Sequence, residues 1–154
     1  MIILGLTGSI GMGKTTAANN FKSYGVPVHD ADVAVHELLV SCGAVVAAIG
    51  SAFPETIVDS VVDRQRLGAL VFSNYKELAR LESILHPRVQ AHKQEFLARA
   101  ARAGASVVVL DVPLLFETGG EHYCDGVITV SAPGFVQAAR VLTRPGMTRE
   151  KFNA

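Results

Sequence analysis

The sequence predicts an α/β fold: a parallel sheet of about four strands, covered by helices on both faces, with a helical insertion between the second and third strands. Three observations carry that expectation. Short apolar runs alternate with segments of helical character, and the first run opens directly into a glycine loop. The 154 residues suit one compact domain and leave little room for a second. With 49% hydrophobic and 18% charged residues, the chain can build a core and is not a disordered polymer.

Ile2 to Thr7 is a short apolar run and reads as a buried strand. Gly8 to Gly13 is a loop, and Thr15 to Ser23 a helix with Ala17, Ala18 and Phe21 on its apolar side. Val26 to His29 is the second strand. Helices follow over Ala31–Val40 and Gly43–Phe53, the latter stopped by Pro54. Asp63 is an N-cap candidate for a helix through Phe72, and Asn74 for the next. That helix is expected to break at His86-Pro87, because a residue before proline avoids the α region. Pro87 then opens a long helix to about Arg102. Ser106 to Leu110 and Gly126 to Val130 are the third and fourth strands. Pro133–Thr143 is a helix, and Thr148 caps a last one.

Gly8-Ser9-Ile10-Gly11-Met12-Gly13-Lys14-Thr15 fits G-x4-G-K-[ST] in full, between an expected strand and an expected helix. Glycines let successive amides turn inward around an anion, and the helix N-terminus adds unpaired donors and a positive dipole end. Lys14 can reach the β- and γ-phosphates, and the Thr15 hydroxyl can ligate Mg²⁺. A GTP-dependent switch would carry Asp-x-x-Gly and Asn-Lys-x-Asp; neither occurs. A kinase needs a carboxylate on the acceptor side. Asp30 and Asp32 follow the second strand, at the edge where ligands of parallel sheets gather. Alternation along an extended chain would point both the same way. One can serve Mg²⁺ through water and the other the acceptor hydroxyl, or either can cap the following helix. Asp111 ends the third strand, where an acid would sit near Mg²⁺; a loop-side hydrogen bond is its other use. Asp125 reads as a local cap or bridge.

Fourteen basic residues balance fourteen acidic ones, which argues against a bulk nucleic-acid binder. The charge is nevertheless segregated. Six basic residues face three acids between Asp63 and Lys93, and Arg140, Arg144, Arg149 and Lys151 crowd the C-terminal end. One basic segment can hold an anionic acceptor and the other can fold over a triphosphate. Cys42 and Cys124 form no CxxC, as expected of free thiols in a reducing cytosol. No apolar run approaches the roughly 18 residues of a membrane span. A cytoplasmic protein, without membrane or nucleic-acid partners, is the expectation.

In order along the chain, GLTGSIGMGKTT (5–16), VPVHDAD (26–32), VDRQRLGALVF (62–72), LHPRV (85–89), VVVLDVPLLFETG (107–119) and QAARVLTRPGMTRE (137–150) together resemble the dephospho-CoA kinase family. The resemblance implies the three-layer P-loop NTPase fold. It implies transfer of the γ-phosphoryl of ATP to the ribose 3′-hydroxyl of dephospho-CoA, giving CoA and ADP with Mg²⁺ required. ATP would be held by Gly8, Ser9, Ile10, Gly11, Met12, Gly13, Lys14, Thr15 and Thr16. Asp32 would be the base and Asp30 its Mg²⁺-side or acceptor-orienting partner. Arg140 and Arg144 would belong to a mobile lid that closes on the phosphates. Arg64 and His86 match acceptor-side positions, and Thr15 and Asp111 would attend the metal. Residues 1–154 would then form a single kinase domain, with 31–102 as the acceptor-side insertion and 137–154 as the start of the lid. Pro54 departs from the family, which usually has Gly after Phe. The family's chain also continues past the position of Ala154, completing the lid and much of the adenine pocket, so this chain is expected to be shortened at its C-terminus. A different small-molecule or nucleotide kinase, or a nucleotide-binding fragment without turnover, are the competing readings.

Overall fold

A computed structural model describes residues 1–72 and 74–153; Ser73, in the expected insertion, and Ala154, in the expected lid stretch, lie outside the described residues. In chain order the elements are β1 (Ile2–Thr7), α1 (Lys14–Ser23), β2 (Val28–Asp30), α2 (Ala31–Ser41), α3 (Gly43–Ala52), β3 (Ile57–Val58), β4 (Val61–Val62), α4 (Arg64–Val71), α5 (Tyr75–Arg102), β5 (Val107–Asp111), β6 (Gly126–Thr129), α6 (Gly134–Leu142) and α7 (Arg149–Asn153). They divide into two compact units, residues 1–30 with 100–154, and residues 31–99. Among the described residues no single helix is long and apolar enough to cross a membrane.

The first unit is built on a four-stranded parallel sheet in the order β2-β5-β1-β6. Its strands read as continuous apolar runs because both faces are covered. Val108 and Val109 in β5 are fully buried, and Leu6, Ala18 and Val109 anchor a core completed by Phe21, Val28 and Ile128. The register sets Asp30 beside Asp111 and Leu6 beside Asp111 on its other side, so β1, β2 and β5 finish together at their carboxyl ends. Asp125 does not cap or bridge locally. Its carboxylate accepts from Ile3 N at 2.8 Å and its own N–H donates to Ile3 O at 2.8 Å. The residue before β6 thus prolongs the pairing with β1, a contact no local pattern announces.

The second unit buries Leu39, Val45, Ile49, Phe53, Val62, Leu67, Val71 and Leu81. Asp63 caps α4 as expected, accepting from Gln65 N at 2.9 Å and Arg66 N at 3.1 Å. The Asn74 carbonyl oxygen likewise accepts from Lys76 N at 3.1 Å. The expected break at His86-Pro87 does not occur: α5 is one helix of 28 residues with Pro87 inside it. An interior proline costs about 3 kcal/mol. Leu78, Leu81, Ile84 and Leu85 pack on this core at helical spacing right up to the proline, while Pro87 itself is exposed. Burial of several aliphatic side chains, each contributing up to about 1.5–3 kcal/mol, outweighs one missing hydrogen bond. The stretch from Glu55 to Val62 holds the β3–β4 hairpin. Its turn residues Asp59 and Ser60 sit at φ 49° and 66°, the primed-turn geometry, without the glycine that would have signalled it.

Candidate active site

Three strand ends and one helix start build the site in the first unit. The glycine loop leaves β1, turns through Met12 N–H donating to Ser9 O at 3.2 Å, and enters α1, where Ala17 N–H donates to Gly13 O at 3.1 Å. Gly11 and Gly13 have φ of 77° and 101°, where a side chain is strained. A Cβ on Gly11 would also lie 2.5 Å from Val141 Cγ2, a fully buried side chain of α6. Gly11→Ala is therefore expected to cost about 2 kcal/mol or more of stability and to weaken ATP binding. Denaturant unfolding and nucleotide titration check both effects.

Lys14 opens α1, and its ammonium donates to the carboxylate of Asp111 at the end of β5. The Asp111 side chain is 3% exposed and that of Lys14 17%. This pairing fixes a cation where the loop amides and the dipole of α1 also present positive charge. Thr15 and Thr16 follow in the first turn of α1, both exposed. Thr7 Oγ1 donates to Pro113 O at 2.9 Å and Val112 N–H to Leu6 O at 3.0 Å, tying the segment after β5 to the loop's root. A cleft of about 260 Å³ opens there, lined by Gly8, Ser9 and Met12 and by Pro113, Phe116 and Glu117.

Helix α6 stands behind the loop. Arg140 Nη1 donates to Gly11 O at 3.2 Å and Gln137 Nε2 to Ile10 O at 2.9 Å. Ala132 N–H donates to Met12 Sδ at 3.1 Å. Arg140 thus lies on the loop itself, whereas Arg144 is exposed beyond the end of α6. Sequence reasoning missed Gln137, which touches a residue 127 positions away. Its helical spacing to Arg140, both on one face of α6, is the signal that could have found it.

The expected alternation of Asp30 and Asp32 along an extended chain does not hold. Asp30 ends β2, half-buried beside Asp111, and the chain turns helical at once, so Asp32 is exposed in the first turn of α2. In the second unit, Asp32 shares a face of α2 with His36 one turn on. Arg64, the first residue of α4, places Nη1 3.1 Å from His36 Nδ1. Arginine has no acceptor to offer, so His36 accepts here as the neutral tautomer carrying its proton on Nε2. The second unit thereby brings Arg64 to the helix that carries Asp32. His86 is exposed midway along α5 and starts no helix.

Among the described residues no cluster of three or more His, Cys, Asp or Glu side chains could cage a metal. The Thr15 hydroxyl and the Asp111 carboxylate are nevertheless hard oxygen donors beside a phosphate loop. That donor set fits Mg²⁺, which takes one or two protein ligands and draws the rest from phosphate and water.

A family model for dephospho-CoA kinase matches residues 2–154. The chain is 59% identical, over its full length and 73% of the relative's, to the dephospho-CoA kinase of Paramagnetospirillum magneticum. It is 56% identical to that of Mesorhizobium japonicum, over its full length and 77% of the relative's. A crystal structure of TT1252 from Thermus thermophilus is similar with a TM-score of 0.84 at 38% identity, covering 97% of this chain and 75% of that one. The dephospho-CoA kinase from Campylobacter jejuni is similar with a TM-score of 0.69 at 26% identity, covering 96% and 75%. The parallel sheet and its helices are accordingly those of the three-layer P-loop fold. Motif, fold and relatives agree, and the chain belongs to the dephospho-CoA kinase family, whose reaction is the ATP-dependent phosphorylation of dephospho-CoA in coenzyme A biosynthesis.

Proposed function

We propose that this chain transfers the γ-phosphoryl of ATP to the ribose 3′-hydroxyl of dephospho-CoA, with Asp32 as general base. The observation that carries the reading is the Lys14–Asp111 pair at the mouth of a loop whose carbonyls are bonded on the side of α6. The amides of Gly8 to Gly13 and the first turn of α1, with Thr16, hold the triphosphate. Lys14 meets the β- and γ-oxygens as charge shifts toward the leaving ADP. Arg140, and Arg144 once the 137–154 stretch closes as a lid, add positive charge over the phosphates. Asp32 accepts the proton of the 3′-hydroxyl, whose oxygen then bonds to the γ-phosphorus as the bond to the β–γ bridging oxygen breaks. Asp30 orients the acceptor, and Arg64 holds its diphosphate, with His86 further along the same acceptor-side insertion (31–102). Thr15 and Asp111 would hold Mg²⁺, which would supply positive charge to offset that of the triphosphate. A cytoplasmic location belongs to the same reading, and the free thiols of Cys42 and Cys124 support it.

An acceptor panel tests the substrate. Mg-ATP is supplied with dephospho-CoA, with nucleoside monophosphates, or with no acceptor, and ADP release is followed. ADP release that depends on dephospho-CoA alone is the expected result. Release driven by a different acceptor would point to another kinase specificity, and saturable ATP binding without release to a binding module.

A further inference from the structure

We propose that Gln137 is a positioning residue for ATP: it holds the Ile10–Gly11 peptide in the orientation that turns the Gly11 N–H toward the phosphates. The inference rests on the reading of the glycine loop as the ATP site. All peptide bonds of the described residues are trans, and in a trans peptide the C=O and N–H point in opposite directions. Gln137 Nε2 donates to Ile10 O at 2.9 Å from α6, so the Gly11 N–H is aimed away from that helix. The neighbouring Met12 N–H is already used, donating to Ser9 O at 3.2 Å. Gly11 at φ 77° has no side chain to resist rotation of the flanking peptides, so the orientation must be imposed from outside.

Helix α6 can impose it. Its Val141 is fully buried, with Cγ2 2.5 Å from where a Gly11 Cβ would be, so helix and loop are in close contact. Arg140 makes the second tie, to Gly11 O at 3.2 Å. Arg140 is also the residue that the lid reading turns toward the phosphates. Gln137 and Arg140 share α6, and in this structure both tie the loop to that helix. Gln137 therefore acts on ATP affinity through the backbone, without touching the acceptor.

Two variants separate this role from packing. Gln137→Met keeps the length and bulk of the side chain and loses the donor; Gln137→Lys keeps an N–H donor. Gln137→Met should raise the Kd for Mg-ATP about five- to tenfold, the loss expected for one hydrogen bond, and leave the KM for dephospho-CoA within about twofold. In the ligand-free chain, amide hydrogen exchange over residues 8–13 should accelerate in Gln137→Met and return toward the wild-type rate in Gln137→Lys. Unchanged exchange and unchanged ATP affinity in Gln137→Met would overturn the proposal, as would equal losses for both substrates accompanied by a lower Tm. If the wild-type chain binds no Mg-ATP, the function reading fails by itself; the exchange rates of the ligand-free chains still decide whether Gln137 positions the loop.

Discussion

Replacing Lys14 by methionine is expected to lower kcat/KM by about 10³-fold, roughly 4 kcal/mol of transition-state stabilisation, and also to destabilise the fold. The kinetic loss follows from the role proposed for Lys14, the side-chain cation of the loop at the β- and γ-phosphates. The stability loss has a separate origin. The ammonium lies against the Asp111 carboxylate, whose side chain is 3% exposed. Taking away the cation removes the Lys14 charge from beside a buried carboxylate, and breaking a buried pair in this way costs about 3–5 kcal/mol. The 17% exposure of Lys14 places the expectation at the lower end, near 3 kcal/mol. The double variant Lys14→Met/Asp111→Asn removes the charge as well as its partner. It should regain most of the stability measured by denaturant unfolding, while kcat/KM does not recover. A stable but inactive single variant would mean that the pair contributes nothing to the fold.

Asp32→Asn is expected to lower kcat by about 10²–10⁴-fold, the range for loss of a general base, with the Kd for Mg-ATP within about twofold of wild type. The carboxylate is exposed in the first turn of α2, where it also complements the helix dipole. Losing that charge should cost under about 1 kcal/mol, so a folding defect cannot account for the kinetic effect. Asp30→Asn is the informative companion. Asp30 is half-buried at the end of β2 beside Asp111. Steady-state kinetics with each substrate varied should show the larger kcat loss for Asp32→Asn. The reverse order would exchange the two roles.

The parts of this fold that rest on local chemistry were legible in the sequence. The apolar run SVVVL (106–110) and the glycine loop announce β5 and the candidate phosphate site, and the oxygens of Asp63 and Asn74 announce the starts of α4 and α5. What could not be read was decided by contacts between distant residues. The helix runs through Pro87 because Leu81 is buried in, and Ile84 and Leu85 pack against, a core assembled from α2, α3 and α4. Asp125 reaches Ile3, and Gln137 reaches Ile10, across more than a hundred residues. The geometry of Asp30 and Asp32 failed for another reason: strand alternation was carried two residues past the end of β2, and the chain is helical from Ala31. The hairpin at Asp59-Ser60 escaped because two-residue strands carry no measurable period and the turn lacks glycine.

Phosphoryl transfer to one hydroxyl of one acceptor can be followed directly. ATP labelled at the γ-phosphorus, Mg²⁺ and dephospho-CoA are incubated with the chain, and the label is located by phosphorus NMR and mass spectrometry of the acceptor. The expected product is a single labelled monoester on the ribose 3′-oxygen of the acceptor, formed in step with ADP. Label recovered only as inorganic phosphate, or left on ATP, would contradict it.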